Sequence, residues 1–201
     1  MSFALVKHNN NSISAITSAG QLAQGKMTLL QTQTASSSAS ISFTSNIDST
    51  YPIYVFKFIN IHPSVDGEKF EFNFSVDSGS NYNVTKTSTV FYAVHSEDGS
   101  ASSLTYDTYS DLAQDTGFQR IQFIGNQNDE CLSGTLHLFD PSNTTFVKHY
   151  MGVANDYINT DRSVNPYYAG YGNTTSAIDA VQFKMGSGNI DSGTIKLYGV
   201  T

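Results

Sequence analysis

Apolar and polar residues alternate with a period of two through most of the chain, the pattern of half-buried strands rather than helices. Residues 69–76 are the clearest case. Phe70, Phe72, Phe74 and Val76 fall on one face, and Lys69, Glu71, Asn73 and Ser75 on the other. The three rings must be covered, because leaving each in water forfeits about 1.5–3 kcal/mol. A second sheet is the expected cover in a chain with so little helical signal. The same alternation predicts strands over 40–44, 54–59, 89–95, 119–124, 133–139 and 145–151, with the uniformly apolar 54–59 expected to be central. Residues 177–185 and 194–200 read as a closing hairpin joined by a Gly/Ser/Asn/Asp loop, its last strand in the core. Turn residues such as Pro63, Asp66-Gly67 and Asp140-Pro141 punctuate the runs. Roughly nine or ten strands at this spacing predict an all-β, antiparallel β-sandwich, jelly-roll-like or Ig-like, with very little helix. One helical turn is expected over 107–114.

The beginning of the chain differs in character. Phe3-Ala-Leu-Val6 is followed by an Asn run and a Ser/Ala/Gly/Gln stretch reaching Lys26. This predicts an N-terminal arm over 1–30, docking on a neighbour through Phe3, Leu5 and Val6, ahead of a sandwich domain over 31–201. The apolar start is too short, and the stretch after Val6 too polar, for a signal peptide. No run approaches the ~18–20 apolar residues of a membrane span. Synthesis in a cytoplasm without an export address, and no membrane partner, are expected.

Only 13% of the residues are charged, about half the usual share. Ser, Thr, Asn and Gly take the polar positions, so the surface is neutral and hydroxyl-rich, suited to facing neighbouring subunits. A net charge of −7 with scattered basic residues argues against nucleic acid. The single cysteine, Cys131, allows neither an internal disulfide nor a Cys-based metal site, and reads as a small buried hydrophobe.

Candidate chemistry is sparse. His8, His62, His95, His137 and His149 show no metal-ligand spacing, and His137, between two leucines, is expected on an outward or subunit-facing side. No Gly-x-Ser-x-Gly elbow occurs. The acids of Glu97-Asp98 and of 126–130 offer hard oxygens for calcium but match no EF-hand, and turns alone explain them. A carboxylate pair for sugar hydrolysis is disfavoured by the absence of Trp. Tyr157, Tyr167, Tyr168 and Tyr171, set among Asn and Gly, form the candidate binding surface, with an ordinary subunit interface as the competing reading. No catalytic residue and no cofactor are expected. The Asn-x-Ser/Thr triplets at Asn10, Asn83, Asn143 and Asn173 are what chance gives in so Asn- and Thr-rich a chain.

The segments 34–43, 48–54, 75–82, 138–149 and 188–199 resemble accessory structural proteins of tailed phages of marine bacteria, cyanobacteria included. The likeness runs over most of the chain from about residue 34 and consists of strand-and-turn patterns without a catalytic signature. It implies a non-enzymatic virion component: a capsid decoration, knob or head fibre, or alternatively a tail-fibre or receptor- or glycan-binding module. Its implied partners are other virion proteins and further copies of itself, with a trimer expected, and a host surface glycan or receptor for the alternative.

Overall fold

Alternation along each strand places one side chain in two between layers, and the structure, a computed structural model describing residues 27–158 and 160–201, stacks two antiparallel sheets on that basis. In chain order the strands are β1 (Met27–Thr34), β2 (Ile41–Phe43), β3 (Ile53–Pro63), β4 (Glu68–Ser75), β5 (Lys86–Ser96), β6 (Ser102–Tyr106), β7 (Ala113–Asp115), β8 (Gln119–Ile124), β9 (Leu132–Phe139), β10 (Lys148–Ile158), β11 (Arg162–Gly172), β12 (Ala180–Met185) and β13 (Ile190–Val200). The large sheet runs β1-β13-β3-β9-β10-β11-β5-β6, with β7 paired to the start of β5; the small sheet runs β2-β12-β4-β8.

Eight of these strands form a jelly roll. β1, β13, β3 and β9 lie in one layer and β2, β12, β4 and β8 in the other, so that consecutive partners β1/β2, β3/β4, β8/β9 and β12/β13 step between layers. Of the two expected sandwich types, this is the jelly roll. Two hairpins, β5–β6 and β10–β11, are inserted into it and extend the large sheet sideways. The closing strands are therefore not a hairpin. β12 pairs with β2 and β4, whereas β13 pairs with β1 and β3 in the opposite layer.

Aromatic rings fill the space between layers. Phe183 of β12 lies 5.2–6.2 Å, centroid to centroid, from Phe43, Phe56, Phe58, Phe70 and Phe72. Phe56 and Phe58 come from the large sheet, and both meet Phe183 edge to face, the arrangement the ring quadrupoles favour. β3 is a central strand, as its apolar run predicts.

Several local expectations are corrected. The polar face of β4 is not solvent-facing: Glu71, Asn73 and Ser75 are buried alongside the phenylalanines, while Val76 is exposed past the strand end. Glu71 is enclosed by Lys69 and Lys184, each at 3.4 Å, and Asn73 by backbone carbonyls of Tyr82 and Thr116. No helix forms over 107–114; Asp107 turns its carboxylate to Arg120 and Ser110, and the chain continues into β7. Met27–Leu30, assigned to the arm, belong to β1. Phe3, Leu5 and Val6 lie outside the described residues.

Replacing Phe183 with Ala removes the ring common to all five contacts. An unfolding free-energy loss of about 3–5 kcal/mol is expected, which chemical denaturation measures. Asp156, on the inward face of β10, is buried with neither carboxylate oxygen hydrogen-bonded. Burial pushes its carboxyl up to about 8. A folded-state value above the unfolded one means the folded state holds the proton more tightly, so its contribution to stability is present at low pH and is lost as pH rises toward 8. Asp156→Asn should therefore gain on the wild type by about 1.4 kcal/mol per unit between pH 5 and 7. Parallel stability curves for the two proteins would show the assignment to be wrong.

Candidate functional site

Beyond β9 the large sheet is wider than its cover, and the inserted hairpins present two different surfaces. The inward positions of β10 and β11 meet β8 at the rim of the small sheet. Their outward positions continue the outer face of the whole large sheet, since residues paired directly across strands project to the same side.

That outer face is aromatic and apolar. Phe91 of β5 stacks on Tyr167 of β11, with centroids 5.1 Å apart and planes within 6° of parallel, and Tyr106 of β6 stands opposite Phe91. The next row crosses the sheet from Ala169 through Met151, His137, Val55 and Tyr198 to Leu29. Met151 and Leu29 are each 51% exposed. Eight of the thirteen exposed large hydrophobics among the described residues lie on this face, more than scattered surface apolar residues would place there.

Charge on the face has one sign. The three cross-strand rows through Tyr167, Met151 and Tyr171 contain Lys57 and Lys196 but no carboxylate, in a chain with 17 acidic residues. Lys57 Nζ sits 5.2 Å from the centre of the Tyr198 ring. His137 stands outward as its alternation predicts, half-buried, and burial followed by the nearby Lys57 charge lowers its pKa.

The four sequence-predicted tyrosines separate. Tyr167 and Tyr171 are outward on β11, and Tyr171 packs edge to face with His149 at 6.3 Å. Tyr157, on β10, donates to Asp161 Oδ1 at 3.1 Å, and this bond pushes its phenol up to about 12. Tyr168 has the opposite parity and is in the core, donating to the Thr135 carbonyl at 2.8 Å. Its ring crosses Gly152, where a Cβ would come within 2.3 Å of it. Tyr168 is therefore no surface residue. Phe91, Tyr106 and Met151 complete the face in its place; Phe91 and Met151 lie on strands whose alternation was readable, whereas β6, which carries Tyr106, and β11, which joins Phe91 to Met151, were not.

Under the same hairpins lies a cleft of about 420 Å³. Tyr92, Val94 and Val164 contribute from β5 and β11, and Arg120, Phe123 and Tyr109 from the side of β8. Arg120 donates to Asp107 Oδ2 at 2.7 Å and to Ser110 Oγ at 2.5 Å, with its guanidinium 4.2 Å from the Phe123 ring centre. Burial works to raise the Asp107 carboxyl, but hydrogen bonds from Ser110 and Arg120 outweigh it and hold it below the usual range. Tyr109 is 91% exposed at the mouth. Aromatic faces beside fixed polar groups suit a small polar ligand.

The loop acids serve their own turns. Asp98 Oδ1 accepts from the Ser100 amide at 2.9 Å, and Glu130 Oε2 from the Gln127 amide at 2.7 Å. Among the described residues no group of three or more His, Cys, Asp or Glu side chains is placed to hold a metal. Cys131 is half-buried, and burial raises its thiol pKa.

No protein-family model matches the chain, and no curated protein is significantly similar to it.

Proposed function

We propose that the protein is a non-enzymatic structural component of a tailed-phage virion, made in the host cytoplasm and displayed on the particle exterior as a capsid decoration. The observation that carries this reading is the outer face of the large sheet: continuous, aromatic and apolar, and free of carboxylates across three rows. Such a face matches an assembly interface, whose core is depleted of charge and enriched in Tyr, Phe and Met. The jelly roll, an architecture common among capsid and lectin domains, agrees by analogy of fold.

Charge selects the manner of assembly. A face-to-face pair of identical surfaces would enclose Lys57 and Lys196 of both copies between rows that carry no carboxylate. A heterologous contact sets them against the acidic remainder of a neighbouring copy. Heterologous contacts that close produce rings, and the trimer is the smallest. The N-terminal arm, including Phe3, Leu5 and Val6, then docks the ring on its scaffold.

Light scattering of the purified protein should give a trimer. Met151→Glu combined with Tyr167→Glu, both at exposed positions, should give a folded monomer that no longer decorates particles. A wild type that is monomeric in solution, together with a double variant that still decorates particles, would refute the assignment of this face.

The cleft beside Tyr109 and Phe123 favours a second reading, a receptor- or glycan-binding tail module. In that case an array of host surface glycans should show binding. Tyr109→Ala with Phe123→Ala should weaken it at least about tenfold, the loss of one or two stacking contacts, without altering the oligomer. Binding that survives the double variant would place the ligand elsewhere.

A further inference from the structure

Lys86 is fully buried at the start of β5, and no carboxylate lies within ion-pair distance of its Nζ among the described residues. Its two hydrogen-bond acceptors are the Val84 carbonyl at 2.7 Å and Asn73 Oδ1 at 2.5 Å. Asn73, on β4, is itself fully buried. An unpaired buried lysine is an unusual thing to retain, because the charged form is costly to desolvate. Burial accordingly lowers the Lys86 pKa to about 7, despite the opposing influence of Asp115. A large share of the side chain is then a neutral amine, the nucleophilic form.

The amide it touches is held as an electrophile. Asn73 Oδ1 accepts from the Phe74 backbone amide at 2.8 Å as well as from Lys86. Asn73 Nδ2 donates to the Tyr82 and Thr116 carbonyls at 2.7 and 2.9 Å, which fixes which end of the amide faces the lysine. The amide carbon lies one C=O length, about 1.2 Å, behind the oxygen that Nζ contacts.

We propose that Lys86 and Asn73 join in an intramolecular isopeptide bond. The Nζ lone pair adds to Asn73 Cγ, forming the C–N bond and placing negative charge on Oδ1, where the Phe74 N–H stabilises it. A proton passes from Nζ to Nδ2, the Cγ–Nδ2 bond breaks, and ammonia leaves. One amine and one primary amide become one secondary amide and ammonia, with no oxidant or reductant. Asp115 stands opposite Lys86 in the β5–β7 ladder but beyond ion-pair reach of Nζ, its Oδ1 accepting from the Gly117 amide at 2.6 Å, so it influences Lys86 only through its charge. The product links β4 of the small sheet to β5 of the large one across 13 residues of sequence.

Intact-mass measurement of the denatured full-length protein decides the matter. The bonded chain is lighter than its sequence by about 17 Da, the mass of ammonia. Proteolysis should yield one branched peptide containing both Asn73 and Lys86. Lys86→Arg and Asn73→Ala should each restore the full mass of their own sequence. A wild-type mass equal to that of the sequence overturns the proposal whether or not any variant folds. A loss of about 17 Da that persists in Lys86→Arg identifies a succinimide at asparagine instead, and overturns it equally.

Discussion

The ring of Phe183 lies within 6.2 Å of five other phenylalanine rings, two of them from the opposite sheet, and this contact determines where the layers meet. Edge-to-face geometry against Phe56 and Phe58 fixes the lateral position of β12 over β3, not merely its distance. With β12 placed there, β4 and β8 can reach only as far as the strands following β9. The small sheet ends at β8, over β10 and β11. Everything the inserted hairpins expose derives from that limit.

A sheet eight strands across, backed by one of four, has more inward surface than its partner can cover. Strands lie about 4.8 Å apart, so the excess of four strands is about 20 Å wide. The molecule covers part of it with the 107–118 segment, anchored by the Asp107–Arg120 pair and by Gln119, whose Nε2 donates to the Ser110 carbonyl at 2.9 Å. The remaining gap is the cleft. Among the described residues no such segment lies over the outer face, and its aromatic character has to be matched by a further surface if the rings are to leave water.

What could be read from the chain divides along physical lines. The phenylalanine alternation of 69–76 and the apolar run of 54–59 were legible, because each reports burial that the strand itself enforces. β11 was not, since Pro166, Gly170 and Gly172 look like loop residues. Pro166 removes a ladder donor, and Asn165 Nδ2 and Asn155 Nδ2 donate instead to the Ala154 and Val164 carbonyls. With β11 unseen, the parity that sends Tyr168 inward and Tyr167 outward could not be applied. The burial of Glu71 and Asn73 was equally hidden, because the groups that enclose them come from Tyr82, Thr116 and Lys184, distant in sequence. The step between layers after Met185 was hidden too, since a short Gly/Ser/Asn loop serves a hairpin and a crossover alike.

The two inserted hairpins differ from the interlayer core of the eight strands that carry them. Between the jelly-roll layers the buried side chains are almost wholly apolar. On the insertions and their connecting segments they include Lys86, Ser88, Ser96, Asp107, Lys148 and Asp156. Buried polar groups weaken a core unless each is satisfied, and the Asp156 carboxylate and the Ser96 hydroxyl have no hydrogen-bond partner. The aromatic outer rows, the cleft and the Lys86–Asn73 contact all draw on the same hairpins, with Asn73 the one participant from the scaffold's own β4. A scaffold held by Phe183 and its neighbours has stability to spare for such residues, whereas a sheet of uniform core would have no reason to retain them. The jelly roll thus supplies a packed core, and the insertions, held against it at β4, β8 and β9, widen its outer face and form the cleft.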